Sequence, residues 1–167
     1  MPVPTYDKTE INTTGKRRIY ESEDGETWNL IPGTVGMTEP EEEVETQQRT
    51  NDSTTGYVHD IMLGMVNPGS ATFSYMYQRS VYAYLQAIKL EASDAELRAT
   101  AERWWKFERN DGSASVFKGY LVKNGGSDEG HGDEPSEIEC EIACTTVATF
   151  TAGDGTPDPI DEESSGV

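Results

Sequence analysis

Glu137-Ile138-Glu139-Cys140-Glu141-Ile142-Ala143-Cys144 alternates acidic and apolar residues with period two. Successive side chains of a β-strand point to opposite faces. The stretch therefore predicts a strand that packs Ile138, Cys140, Ile142 and Cys144 inward. Glu137, Glu139 and Glu141 then stand in a row on the other face. Like charges aligned in this way repel one another, and the buried face gains nothing from them. Such a face is either simply solvated or a surface that something negatively charged passes without sticking.

Composition extends the question to the whole chain. Its 167 residues suit one domain with a real core. Asp and Glu number 31 against 13 Lys and Arg, a formal net charge of −18. After Lys123 there is no Lys or Arg, while Asp and Glu occur twelve times between Asp128 and Glu163. Nucleic-acid affinity comes mainly from cations that neutralise phosphates, so this balance excludes a conventional DNA- or RNA-binding protein. No apolar run approaches the ~18 residues that a membrane span needs. The start, Met1-Pro2-Val3-Pro4-Thr5-Tyr6-Asp7, lacks the basic and apolar segments of an export signal. The triplets Asn12-Thr13-Thr14 and Asn51-Asp52-Ser53 are then chance matches to a glycosylation site. Cys140 and Cys144 would lie roughly 13 Å apart along one strand face, too far to bridge. They read as small buried hydrophobes in a chain made in a reducing cytoplasm.

The remainder of the chain reads mostly as strands. Residues 1–15 form an N-terminal arm, and 16–153 form a single β domain. Lys16–Glu21 and Thr27–Ile31 are short strands joined by a turn over Ser22–Glu26. Residues 34–55 read as a long acidic loop around Glu41, Glu42, Glu43 and Glu45. Gly56–Val66 and Ala71–Gln78 read as a hairpin turned by Asn67-Pro68-Gly69-Ser70. Val81, Tyr84, Leu85 and Ile88 recur at helical spacing. Ser93-Asp94-Ala95-Glu96 has the form of a capping box opening a further helical turn or two toward Ala101. Trp104–Arg109 and Ala114–Val122 predict another hairpin, Lys123–Pro135 a loop, and Glu137–Thr151 one long strand. Residues 154–167 form an acidic tail. The expected fold is mainly β: an antiparallel sandwich or partly closed barrel flanked by one helical segment.

No residue set supports catalysis. His59 lies in a strand pattern and His131 in an acidic loop, and neither has a second His or Cys close by in sequence to share a metal. Asp128, Glu129, Asp133 and Glu134 do not follow the spacing of a calcium-binding EF-hand loop. Gly125-Gly126-Ser127 lacks the Lys and helix start of a phosphate loop. No Gly-x-Ser-x-Gly elbow and no Cys near a His offers a nucleophile. Of Trp104-Trp105, one ring is expected in the core and the other at a surface. The chain is read as a non-enzyme with no cofactor.

The order of these elements resembles the tail tube (major tail) proteins of long-tailed bacteriophages. Four features carry the resemblance. Trp28-Asn29-Leu30-Ile31-Pro32-Gly33 precedes the long acidic loop. Asp60-Ile61-Met62-Leu63-Gly64 leads to Ser70-Ala71-Thr72-Phe73-Ser74-Tyr75 and then the short helix. Trp105-Lys106-Phe107 pairs with Val116-Phe117-Lys118-Gly119-Tyr120-Leu121. The last strand closes through Phe150-Thr151-Ala152-Gly153. The resemblance implies a virion protein, assembled in the host cytoplasm, that forms hexameric rings stacked into a hollow tube. A tape measure protein occupies the lumen, tail terminator and distal tail proteins sit at the ends, and DNA passes without specific binding. Glu137, Glu139, Glu141 and Asp60 are then candidate lumen residues. Residues 34–55 match the family's inter-ring loop, with Glu41, Glu42, Glu43 and Glu45 expected to meet Arg17, Arg18 or Arg49 across rings. Other ring proteins of the same fold are alternatives: a terminator, a distal tail protein or the tube of a contractile system. A carbohydrate-binding or adhesin sandwich using Trp104, Trp105 and the tyrosines is another.

Overall fold

The computed structural model describes residues 17–49, 60–109, 112–126 and 136–152, and for Arg49 and Asp60 only the backbone. His59, His131, the arm 1–15, the acidic loop around Asp128–Glu134 and the tail 154–167 lie outside the described residues.

Among the described residues, the strands β1 (Arg18–Ser22), β2 (Asn29–Ile31), β3 (Thr34–Thr38), β4 (Glu43–Arg49), β5 (Asp60–Asn67) and β6 (Ser70–Met76) precede one helix, α1 (Arg79–Ser93). Four strands follow it: β7 (Arg103–Glu108), β8 (Ala114–Gly126), β9 (Glu137–Cys144) and β10 (Thr149–Thr151). Eight of these strands make one antiparallel sheet in the order β2-β1-β7-β8-β9-β6-β3, with β10 beside β8. β4 and β5 form a separate two-stranded sheet.

The large sheet curls on itself. Phe73 on β6 lies 5.9 Å from Trp105 and 6.2 Å from Phe107, both on β7. In the sheet those strands are separated by β8 and β9, so ring contact requires its two wings to face each other. Trp105, Phe73, Phe107 and Phe117 are buried between them, each stabilising the fold by about 2–3 kcal/mol. α1 covers the open side with Val81, Tyr84, Leu85 and Ile88. A buried amide ties the layers together. Asn124 accepts the Tyr75 hydroxyl at 2.9 Å and donates to Gln86 on α1 at 3.3 Å. The architecture is the partly closed, antiparallel, helix-flanked one that the alternation of apolar residues predicts.

Four local expectations need correction. Gly56–Val66 and Ala71–Gln78 are not hairpin partners. β5 pairs with β4, and β6 pairs with β3 and β9. Pro68-Gly69 is therefore a bend in one long ribbon, whose stem (β3 with β6) joins the main sheet and whose outer part (β4 with β5) leaves it. Gly69 has φ +75°, and a Cβ there would lie 2.3 Å from the Glu41 carbonyl oxygen. Only glycine fits this bend. Second, much of 34–55 is strand rather than loop, because Thr34–Thr38 and Glu43–Arg49 are the outgoing half of that ribbon. Third, the helical turn toward Ala101 forms, with the Leu97 carbonyl accepting the Ala101 N–H at 3.1 Å, but Asp94 rather than Ser93 caps it, through the Glu96 N–H at 2.9 Å. The Ser93 hydroxyl turns back to the Leu90 carbonyl at 2.8 Å, and Asp94 is extended and ends α1. Fourth, β8 continues through Lys123–Gly126, and residues 145–148 interrupt the closing strand.

Candidate functional site

The acidic face has the alternation that the sequence implies. Ile138, Cys140 and Ile142 are buried and Cys144 is half-buried, while Glu137, Glu139 and Glu141 point outward. Pairing sets hydroxyl residues beside them: Ser74 opposite Glu139 and Thr72 opposite Glu141. Thr38 and Gly36 on β3 extend the same face. An open groove of about 370 Å³ runs along it, bordered by Arg17, Thr38, Ser74, Glu137 and Glu139.

The carboxylate row is not bare, because two cations stand with it. Lys123 Nζ lies 2.8 Å from Glu139 Oε2, and that carboxylate holds the ammonium above its ordinary range. Arg17 borders the groove. A strict period of two would turn Lys123 inward with Leu121. A register shift between Leu121 and Lys123 instead leaves Val122 and Lys123 both exposed and returns Asn124 to the interior. Nothing in the local composition announces that bulge. Asp60 pairs with Arg49 at the far end of β5, in the other sheet, and so does not join the acidic row.

The ribbon is the second feature. Among the described elements, β4 and β5 touch one another and little else. Ile61, Leu63, Val66 and Val44 share one face and Met62 lies on the other, with Met65 standing in the bulge between Leu63 and Val66. All are exposed, Ile61, Leu63 and Met65 by 63%, 74% and 80%. A two-stranded ribbon is marginal alone in water, and an exposed apolar patch of this kind marks an interaction surface.

The expected inter-ring charges divide between the ribbon and the body. Glu42 accepts the Ala148 backbone N–H at 2.7 Å and so braces the ribbon root against its own chain. Glu39, which the sequence did not single out, pairs with Arg109, whose guanidinium also lies 5.5 Å from the Phe150 ring. Arg18 sits across from Glu108 at 3.6 Å. Glu41, Glu43 and Glu45 are exposed.

The opposite wing presents a different outer surface. Lys106 Nζ lies over the rings of Tyr20 and Trp28, at 4.3 and 4.8 Å, and Lys118 Nζ lies 4.5 Å over Trp104. Trp105 is buried and Trp104 faces out, the division that strand alternation requires. Beneath this wing, Glu21 is buried with Arg103 at 3.1 Å, and it accepts the Tyr84 hydroxyl at 2.7 Å. Among the described residues no group of His, Cys, Asp and Glu is placed to hold a metal ion, and no helix is long and apolar enough to cross a membrane.

No protein-family description matches the sequence, and no curated protein matches it either. Solved structures do match the fold. A chain of the sixfold-symmetrised baseplate of the anti-feeding prophage is similar at TM-score 0.57 and 10% identity, covering 86% of this chain and 97% of that one. A chain in the tail of a gene transfer agent particle, solved with C6 symmetry, is similar at TM-score 0.57 and 14% identity, covering 84% and 100%. A chain of the extended sheath–tube complex of an extracellular contractile injection system is similar at TM-score 0.60 and 9% identity, covering 84% and 90%. The fold of this chain is thus tail-tube-like, one that occurs in the tails, baseplates and sheath–tube complexes of phage-related particles.

Proposed function

We propose that this chain is a structural virion protein that assembles with copies of itself into stacked rings, forming a hollow tail tube through which DNA is delivered. The observation that carries this reading is the apolar ribbon of β4 and β5, which leaves a body of tail-tube-like fold and stands exposed among the described residues. A protein with no counterpart for Ile61, Leu63 and Met65 would carry an aggregation hazard for no return. A neighbouring copy removes it. Hexameric rings accord with the sixfold and C6 symmetries of particles that contain similar folds. Glu137, Glu139 and Glu141, set among Thr72, Ser74 and Thr38, line the lumen in this reading. Their carboxylates exceed the local cations, and a face of net negative charge lets a phosphate backbone, or a tape measure protein before it, slide without capture.

Negative-stain electron microscopy of the concentrated protein tests the assembly. Hollow tubes are expected, and Leu63→Asp with Met65→Asp should abolish them while the circular dichroism of the monomer stays unchanged. Tubes of normal yield from that double variant would refute the role of the ribbon. A second reading has its own support, since similar folds occur in a sheath–tube terminator structure and in a tube-terminating cap. Single rings that never stack at any concentration would favour a terminator.

A further inference from the structure

We propose that the lysine–aromatic wall of β1, β7 and β8, with Trp28 before β2, is the surface that receives the ribbon of a second copy, an inference that rests on the tube reading above. The wall comprises Tyr20, Trp28, Trp104, Lys106 and Lys118. Its two halves answer the two halves of the ribbon. Across the register shift, Glu43 and Glu45 fall on the ribbon face of Met62, opposite to Ile61 and Leu63. Met65 stands beside them in the bulge. The wall offers broad indole and phenol faces for the apolar side chains and two ammonium groups for the carboxylates.

Charge supply makes the match selective. The chain has only 13 Lys and Arg for 31 Asp and Glu. Arg18, Arg103, Arg109 and Lys123 are engaged by carboxylates of their own chain. Among the described residues, Arg79, Lys89, Arg98, Lys106 and Lys118 make no ion pair, and of these Lys106 and Lys118 are seated on aromatic rings, which fix each ammonium without neutralising it. The acidic face of β9 would repel Glu43 and Glu45, whereas this wall attracts them. Complementary patches of this kind set the register of docking as well as its rate.

The test is a photo-crosslinking amino acid at position 62, in tubes grown from a mixture of isotope-labelled and unlabelled chains. Mixed-isotope adducts within residues 18–30 or 103–118 are expected. Adducts that map only elsewhere, or only within one chain, would overturn the pairing and leave the tube reading intact. A charge swap gives an independent arm. Lys106→Glu with Lys118→Glu should lose tubes, and adding Glu43→Lys with Glu45→Lys to the same chain should restore them. Reversed lysines that still build tubes, or a swap that fails to restore them in a folded protein, count against the pairing. If the wild type forms no tubes at all, the tube reading falls and this pairing falls with it.

Discussion

Arg103→Met removes the charge that balances the most deeply buried carboxylate among the described residues. The Glu21 side chain is 0% exposed and that of Arg103 is 7% exposed, at 3.1 Å. Arg103 also holds Glu91 on α1 at 3.1 Å and Glu23 at 2.5 Å, so it fastens the helix to the sheet. Methionine keeps the apolar stem and deletes the guanidinium. Breaking one side of a buried pair costs about 3–5 kcal/mol, because the remaining charge is left uncompensated. Glu21 keeps the Tyr84 hydroxyl at 2.7 Å and the Asn29 amide at 3.3 Å. The expected loss is therefore near the lower end, about 3 kcal/mol. A domain with ~5–15 kcal/mol of total stability would feel that plainly. Urea unfolding followed by tryptophan fluorescence measures it as a shifted midpoint at constant slope. Adding Glu21→Gln should recover most of the loss, since a neutral amide is far cheaper to bury than an unpaired carboxylate. A single variant that loses under about 1 kcal/mol, the range of an exposed ion pair, would show that Glu21 has access to water and would refute the reasoning.

Three further outcomes follow from the geometry. Gly119→Ala should cost about 1–3 kcal/mol in thermal unfolding, because its Cβ would stand 2.6 Å from both the Ala143 carbonyl and the Ile142 side chain; an unchanged melting temperature would contradict that contact. The Asp24 carboxylate accepts the Thr27 and Glu26 backbone N–H groups and the Ser22 hydroxyl, which hold its pKa at about 2 instead of 3.8. A depressed folded pKa stabilises above the unfolded value, and the benefit is lost as pH falls through about 2; a carboxyl titration by NMR with its midpoint near 3.8 would reject this turn. Burial pushes the Cys140 thiol well above its ordinary range and Cys144 up to about 11. Alkylation at pH 8 should therefore be slow in the folded protein and fast in denaturant; rapid labelling of either in the folded state would count against the packing of β9.

The legible parts of the fold were those written in side-chain alternation. Glu137–Cys144 and Trp104–Glu108 each state their inner and outer faces, and the structure agrees with both. Partnership between strands was less legible. Asn67-Pro68-Gly69-Ser70 has the composition of a hairpin turn, yet β5 and β6 pair with other strands, because the glycine serves a bend against Glu41. Local chemistry specifies the backbone angle at Gly69 but not which strand lies alongside. The site residues divide the same way. The acidic row was visible as a pattern, whereas Lys123 joins it only through a bulge that shifts the period. The helical spacing of Val81, Tyr84, Leu85 and Ile88 was clear, but the end of α1 depends on which carbonyl the Ser93 hydroxyl finds. Glu21 gave no signal, since a carboxylate in an alternating strand reads as solvated until Arg103, far along the chain, is placed beside it.

The strand order also sets a timetable. β7–β8 and β8–β9 join neighbours in sequence, but β1 must find β7, bringing Tyr20 alongside Lys106, and β6 must find β9. Closing such loops costs entropy before any contact repays it, and sheets dominated by distant pairings fold in milliseconds to seconds. The β4–β5 ribbon, by contrast, is a local hairpin with its apolar side chains already on display. A segment prone to stick to another chain is thus among those able to form before the sheet closes, so newly made protein displays it while the body that should carry the ribbon is still closing.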